Sequence, residues 1–244
     1  MVTVFVPAFN EEKYLEKVIR NIILAKRKLN NLSIEIIIVD DGSTDRTPEI
    51  VNKLKKRHPF IRSIRHLFNK GFGAGWRETI TQAKYPHLII IPGDNDAPLE
   101  LIITLIRHRN IADAVFGYYI NKEGRSRLRN IFSYIYQLVY MITFDIYLQQ
   151  LNCVAVYKTK RLRELDLKST RFTISAEINI KLLRLGYSFS EVAGYMQTDL
   201  DNFTPLKLKN MWEVFKTYLL LVYEILIIRR KVYNKRPIRV RLKE

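Results

Sequence analysis

The stretch SIEIIIVDDGSTD, Ser33–Asp45, decides the reading of the fold. Its apolar run is that of a strand buried on both faces, the signature of a parallel sheet covered by helices. The run stops at two adjacent acids, Asp40 and Asp41, and Gly42 then permits a sharp turn. Ser43 or Thr44 can cap a following helix, and Asp45 falls in a first turn, where the helix dipole favours an acid. Strand, tight loop and helix together form one unit of a doubly wound sheet.

The same unit recurs on either side. TVFVPAF reads as a strand, with Asn10 ahead of a helix that carries Glu11 and Glu12 in its first turn. A helix is expected from Thr44 to Arg57, then a third strand at IRSIRHL. The glycine-rich turn NKGFGAG leads into a helix near Trp76–Ala83. HLIIIPGD is a fourth strand, APLELIITLIRHR a helix and ADAVFGYYI a fifth strand. Such alternation predicts an α/β fold with a parallel, doubly wound sheet. Ligands bind such sheets at the carboxyl ends of the strands, so PAFNE, DDGSTD and GDNDAP should converge.

After Asn121 the character changes. RSRLRNIFSYIYQLVYMITFDIYL is basic, then apolar and aromatic; LNCVAVYK and YSFSEVAGYM are strand candidates flanking the helix SAEINIKLLRLG. LKLKNMWEVFKTYLLLVYEILIIRRK is a long amphipathic helix. The expected organisation is one domain over 1–228, in halves 1–120 and 121–228. A basic tail, 229–244, with eight basic residues and one acid, is expected to stand apart as a disordered segment.

Apolar residues make up 48% of 244, enough for a substantial core, which excludes global disorder. The formal charge of +17 favours anionic partners: nucleic acid, phosphorylated substrates or an anionic membrane face. Cys153, the one cysteine, excludes an intrachain disulfide and fits a reducing compartment. Met1 runs into a strand with no basic signal-peptide region. The segment Ile131–Leu148 contains Ser133, Gln137 and Asp145, and the second apolar segment is interrupted by Glu213, Lys216 and Glu224. Their uncharged stretches fall short of the roughly 20 residues of a spanning helix. Core packing and a place at a membrane surface are equally open for both. Nucleic acid is not expected, because acidic loops occupy the crevice and no recognised binding motif occurs.

Asp94 and Asp96, in IIIPGDNDAP, Ile89–Pro98, lie two residues apart. In extended backbone they would share one face, with Asn95 as spacer, and repel each other. Mg²⁺ or Mn²⁺ would remove that repulsion and leave coordination positions for phosphate oxygens; a solvated Asp-Asn-Asp turn is the plainer reading. Asp40 and Asp41 suit a nucleobase N–H or ribose hydroxyls. Pro7 and Ala8 leave room for a flat ring, and Asn10 with Glu11 can cap the first helix. Gly71 in NKGFGAG suggests a phosphate cradle, without P-loop spacing, and Lys70 could neutralise a diphosphate.

In order and spacing, VPAFNEEKYLEKVI, IIIVDDGSTDRTPEI, NKGFGAGWRETITQA and IIIPGDNDAP resemble the nucleotide-sugar-binding half of family 2 glycosyltransferases. The resemblance implies a GT-A, Rossmann-like fold: a mostly parallel twisted sheet flanked by helices, with C-terminal amphipathic helices. It implies a GDP- or UDP-sugar donor whose base is held at Asp40, with Asp41, and whose diphosphate lies at Asp94 and Asp96; Pro7, Ala8, Asn10, Glu11, Lys70, Gly71 and Asn95 are the further donor-site residues expected from the loops themselves. Asp94 and Asp96 would be catalytic and hold Mg²⁺ or Mn²⁺ on the diphosphate. The second half resembles the polyprenyl-phosphate branch, of the dolichol-phosphate mannosyltransferase type. Arg129 and Ser133 fit its R-x-x-x-S form, with Arg125 and Arg127 nearby, and Glu177 is the helix acid preceding Leu185-Gly186-Tyr187.

That branch implies inverting, metal-dependent transfer to a polyprenyl phosphate by a protein held peripherally on the cytoplasmic face of an anionic membrane. A separate membrane-protein partner is compatible with it. The chain departs from the pattern at Gly117-Tyr118-Tyr119 and at DLDNFTPLKLK, where Asp199 and Asp201 replace an expected Arg and Lys207 restores some charge. A lipid phosphate is already anionic and needs only positioning. A hydroxyl acceptor would need a base, for which Glu177, Asp199 and Asp201 are candidates. A third reading is a nucleotide-sugar binder without turnover.

Overall fold

Val4 and Val6 of β1 (Val2–Ala8) enter one apolar layer and Phe5 enters another, so the strand is buried on both faces. β2 (Ile34–Asp40) repeats the alternation, with Ile36 and Ile38 on one side and Ile37 and Val39 on the other. The protein is described by a computed structural model over residues 1–30, 32–120, 127–195 and 208–242. Its further strands are β3 (Ile61–Arg65), β4 (His87–Ile90), β5 (Ala114–Tyr119), β6 (Ala155–Lys158), β7 (Ser188–Gly194) and β8 (Ile238–Arg239). They form one sheet in the order β3-β2-β1-β4-β6-β5-β7-β8. Only β6 runs antiparallel to its neighbours, so the sheet is mostly parallel, as the sequence predicts.

One face is covered by α1 (Leu15–Lys28), α2 (Thr47–Arg57) and α4 (Leu99–Arg107). The other carries α3 (Phe72–Gln82), α5 (Arg127–Phe144), α6 (Thr159–Arg163) and α7 (Ile174–Arg184). On that face α8 (Leu208–Leu221) runs on into a π-helical stretch, Val222–Ile228. The strand order reverses at β1, with β2 on one side and β4 on the other, which opens a crevice over their carboxyl ends.

The basic tail does not stand apart. Tyr233 is buried, the Lys235 amide donates to the Arg184 carbonyl (3.2 Å), and β8 pairs with β7. The Arg239 guanidinium lies 2.9 Å from the sheltered Glu191 carboxylate. Strand pairing and this ion pair outweigh the solubility that eight basic residues give the segment.

Glu224, which interrupts an apolar run, also has a structural partner. Lys181 is fully buried on α7, with Nζ 2.8 Å from Glu177 Oε1, 3.0 Å from Glu224 Oε1 and 2.5 Å from the Asp166 carbonyl. Lys168 Nζ meets the other Glu224 oxygen at 3.0 Å. This cluster ties the C-terminal helix to α7 and to residues 166–168. Lys181→Met leaves two buried carboxylates without their shared cation and is expected to cost about 3–5 kcal/mol in urea unfolding. Adding Glu177→Gln and Glu224→Gln to it should recover most of that loss.

Candidate functional site

The loops after β1 and β2 hold each other in place through reciprocal hydrogen bonds. The Asn10 amide donates to Ser43 Oγ (2.9 Å), and Asn10 Oδ1 accepts from the Thr44 amide (2.9 Å). The Glu11 amide donates to Thr47 Oγ1 (2.8 Å), and the Glu12 amide to Asp45 (3.1 Å). In return, the Glu12 carboxylate accepts from the Arg46 amide at 2.9 Å. Asn10 therefore does not cap α1, which starts at Leu15; it sits at φ 58° and serves the neighbouring loop. Ser43 and Thr44 likewise precede α2, which begins at Thr47. The loop after β4 completes the set: a Cβ on Gly93 would lie 2.6 Å from the Pro7 carbonyl oxygen, beside the buried Ala8. The three loops converge as expected.

Asp40 and Asp41 have opposite environments. Asp40 is buried; one oxygen accepts from the Ser43 amide (3.0 Å), and the other has no hydrogen-bond partner, with Arg65 Nε at 3.5 Å. Both oxygens of Asp41 are engaged by the protein itself. Its Oδ1 accepts from the Lys70 amide (2.8 Å) and lies 2.6 Å from His66 Nδ1, while Oδ2 accepts from the Gly71 amide (2.9 Å). His66 Nε2 lies 2.9 Å from Glu78. Burial pulls the His66 pKa down, but hydrogen bonds to the Asp41 and Glu78 carboxylates override it and leave it raised. Asp41 is thus a scaffold for the turn rather than a free acceptor for a base.

The glycine-rich turn is likewise structural. The Lys70 and Gly71 amides are taken by Asp41, and the Gly73 amide donates to the Thr170 carbonyl at 2.7 Å. A Cβ on Gly71 would collide with the Thr170 carbonyl oxygen, and one on Gly73 with that of Ser169. These glycines admit a crossing chain, so Gly71 does not offer a phosphate cradle. Lys70 Nζ is half-exposed, 3.7 Å from Glu78.

Glu177 fixes that crossing chain. Its carboxylate accepts from the Lys168 amide (3.0 Å), the Ser169 amide (2.7 Å) and Lys181. Burial raises its pKa, but Lys181 and these bonds hold it below the ordinary range. A carboxylate so occupied is an anchor, not the base expected from sequence.

The Asp94–Asp96 segment is a turn rather than extended backbone. Asn95 sits at φ 64°, buried, and its Oδ1 accepts from Asn21 of α1 at 3.3 Å. Asp94 Oδ1 accepts from the Asp96 amide (3.1 Å), and the Asp96 carbonyl accepts from the Tyr119 hydroxyl (2.9 Å). Asn95 is therefore a pinned turn residue, not a pleated spacer. Burial raises the Asp94 pKa. Glu11 is pushed up to about 7 by burial and then by the charges of Asp94 and Asp45. Crowded acids of this kind suit a cation. Among the described residues no cluster of three His, Cys, Asp or Glu is assembled for a metal. Donors beyond these acids would come from ligand oxygens and water.

A cavity of about 350 Å³ opens beside Asp96. Ser133 and Gln137 of α5 line its far wall, with Gln150, Asn152 and Ser175 around it. Gln150, Asn152 and Ser175 carry no sequence signal, since they stand in loops or at a helix start without a motif. The Gln149 amide donates to Glu191 (2.6 Å), the partner of Arg239, so the tail helps to fix this loop. Cys153 also lines the cavity, and burial pushes its thiol pKa up, so it is not a nucleophile. Arg127 and Arg129 fall at the start of α5 by backbone position. Arg125, Asp199, Asp201 and Lys207 lie outside the described residues.

The raised Glu11 pKa sets a pH dependence. The folded state holds this proton more tightly than the unfolded chain, so the metal-free protein should lose stability as pH rises from about 4.5 to about 7. In Glu11→Gln that decline should flatten in thermal unfolding scans across the window. An unchanged slope would assign it to another group.

The glycosyl transferase family 2 model matches residues 3–160. The chain is 34% identical over 126 residues to the glycosyltransferase GlyG of Streptococcus pneumoniae, a match covering 50% of this chain and 40% of that protein. It is 31% identical over 125 residues to a dolichol-phosphate mannosyltransferase of Pyrococcus furiosus, covering 51% and 34%. The matches span less than half the length of these curated relatives. Glucosyl-3-phosphoglycerate synthase from Mycobacterium tuberculosis, crystallised with Mn²⁺, UDP and phosphoglyceric acid, superposes with a TM-score of 0.65 at 18% identity. That match covers 91% of this chain and 78% of the synthase, and it shows the shared fold. The chain belongs to glycosyl transferase family 2.

Proposed function

We propose that the chain is an inverting, metal-dependent glycosyltransferase that moves a sugar from a GDP- or UDP-sugar to a polyprenyl phosphate at a membrane surface. The observation that carries this reading is a single cavity lined by both Asp96 and Ser133. In this reading the donor lies over the ends of β1 and β2. Pro7, Ala8 and Asn10 flank the base and ribose, and the Asp40 oxygen that lacks a hydrogen bond, 3.5 Å from Arg65 Nε, accepts a base N–H.

Asp94 and Asp96 would hold Mg²⁺ or Mn²⁺, whose charge would favour departure of the diphosphate. The acceptor phosphate would sit at Ser133, with Arg125, Arg127, Arg129 and Lys207 as its basic complement. A phosphate oxygen attacks the anomeric carbon opposite the leaving group. A new carbon–oxygen bond forms to the acceptor phosphate while the bond from the anomeric carbon to the donor diphosphate oxygen breaks, and the nucleoside diphosphate leaves. The acceptor is already anionic, so no base is required. The Pyrococcus furiosus relative, named for dolichol phosphate, supports the lipid acceptor; the Mn²⁺ and UDP in the Mycobacterium tuberculosis structure support the cation and nucleotide.

A second reading, with a hydroxyl acceptor, draws on the cavity lining. Among the described residues around it there is no lysine or arginine, and apart from Asp96 its polar groups are amides and hydroxyls. Such a wall suits a neutral polyol better than a dianion.

Incubation with labelled GDP- and UDP-sugars, Mn²⁺ and a membrane lipid extract separates the readings. Label should enter the organic phase; label only in water-soluble glycan would replace the lipid acceptor by a hydroxyl. Asp96→Asn should abolish Mn²⁺-dependent donor binding, and unchanged binding would sink the metal assignment.

A further inference from the structure

The outer face of α5 is an apolar stripe. Ile131, Ile135, Leu138 and Ile142 recur at helical spacing, between 51% and 73% exposed. The C-terminal helix carries a second stripe, in which Trp212, Phe215, Leu219, Tyr223 and Ile227 are between 49% and 67% exposed. The helices pack side by side: the Tyr140 and Tyr218 rings lie 5.3 Å apart, Tyr140 donates to the Val214 carbonyl (3.2 Å), and Thr143 Oγ1 lies 2.9 Å from the Tyr218 hydroxyl. Two neighbouring stripes make more than the single scattered apolar residues of an ordinary soluble surface.

The residues just beyond the second stripe identify its partner. Exposed Ile227 and Ile228 lead directly into Arg229, Arg230 and Lys231, all exposed. We propose that this two-helix face docks in the plane of an anionic lipid bilayer. The stripes enter the acyl boundary, Trp212 and Tyr223 lie at headgroup level, and Arg230 and Lys231 meet the lipid phosphates, beside Arg229, whose guanidinium pairs with Asp166 at 3.2 Å. No helix among the described residues is long and apolar enough to cross a membrane, so the face lies on the bilayer. A second copy fits less well, because it would bring another chain of charge +17 against the basic rim. On its other side α5 carries Ser133 and Gln137 to the cavity, so docking sets that wall beside the lipid boundary.

This inference deepens the proposed function, but vesicle binding is read without turnover, so either can fail alone. The full chain is cosedimented with vesicles of phosphatidylcholine, alone or mixed with phosphatidylglycerol. It should bind the mixed vesicles, release as salt rises, and bind phosphatidylcholine about tenfold or more weakly. Ile135→Ser with Leu219→Ser, and separately Arg230→Glu with Lys231→Glu, should each weaken binding about tenfold or more, with thermal unfolding unchanged. These positions are exposed, so the variants should fold. Three results would overturn the proposal: no binding of the parent chain to mixed vesicles, folded variants that bind like the parent, or a dimer in light scattering that the serine variant dissolves.

Discussion

Asp41 holds the crevice in shape. At the end of β2 its carboxylate accepts the Lys70 and Gly71 amides and fixes the buried His66 ring. That orders the glycine-rich turn, whose missing side chains admit the chain at Ser169 and Thr170. Glu177 fixes the crossing chain from below, and Lys181 ties Glu177 to Glu224 on the C-terminal helix. One polar path therefore runs from the crevice to the helix that carries an exposed apolar stripe. It crosses the interior through paired groups, which is how buried charge is tolerated.

Electrostatics divide the molecule. The chain carries +17 overall, yet the crevice gathers Glu11, Asp40, Asp94 and Asp96. Burial and the neighbouring charges of Asp94 and Asp45 push the Glu11 pKa up to about 7. An acidic pocket inside a basic protein is suited to a cation-bound diphosphate within and to anionic lipid outside.

The sheet was legible because strands buried on both faces leave continuous apolar runs, and the meeting of three loops came from where such sheets reverse order. Which acid of Asp40-Asp41 keeps an oxygen without a hydrogen bond was not legible, since it depends on His66 and Gly71, distant in sequence. The glycines of NKGFGAG suggested phosphate because nothing local records the chain that crosses them. Glu177 suggested a base because its buried partner, Lys181, is indistinguishable in sequence from a solvated one. Asn95 was misread because alternation assumes extended backbone, whereas asparagine tolerates φ 64°. The tail misled because composition does not record the pairing of Arg239 with Glu191.

In the proposed function Asp40 serves the ligand while Asp41 serves the fold. Calorimetric titration of UDP and GDP with Mn²⁺ into the parent chain, Asp40→Asn and Asp41→Asn, each with its unfolding curve, tests it most directly. Loss of a charge-assisted acceptor should weaken nucleotide binding about 10- to 100-fold in Asp40→Asn with little change in unfolding, whereas Asp41→Asn should lower the unfolding temperature. A folded Asp40→Asn that binds nucleotide as tightly as the parent chain would contradict the account.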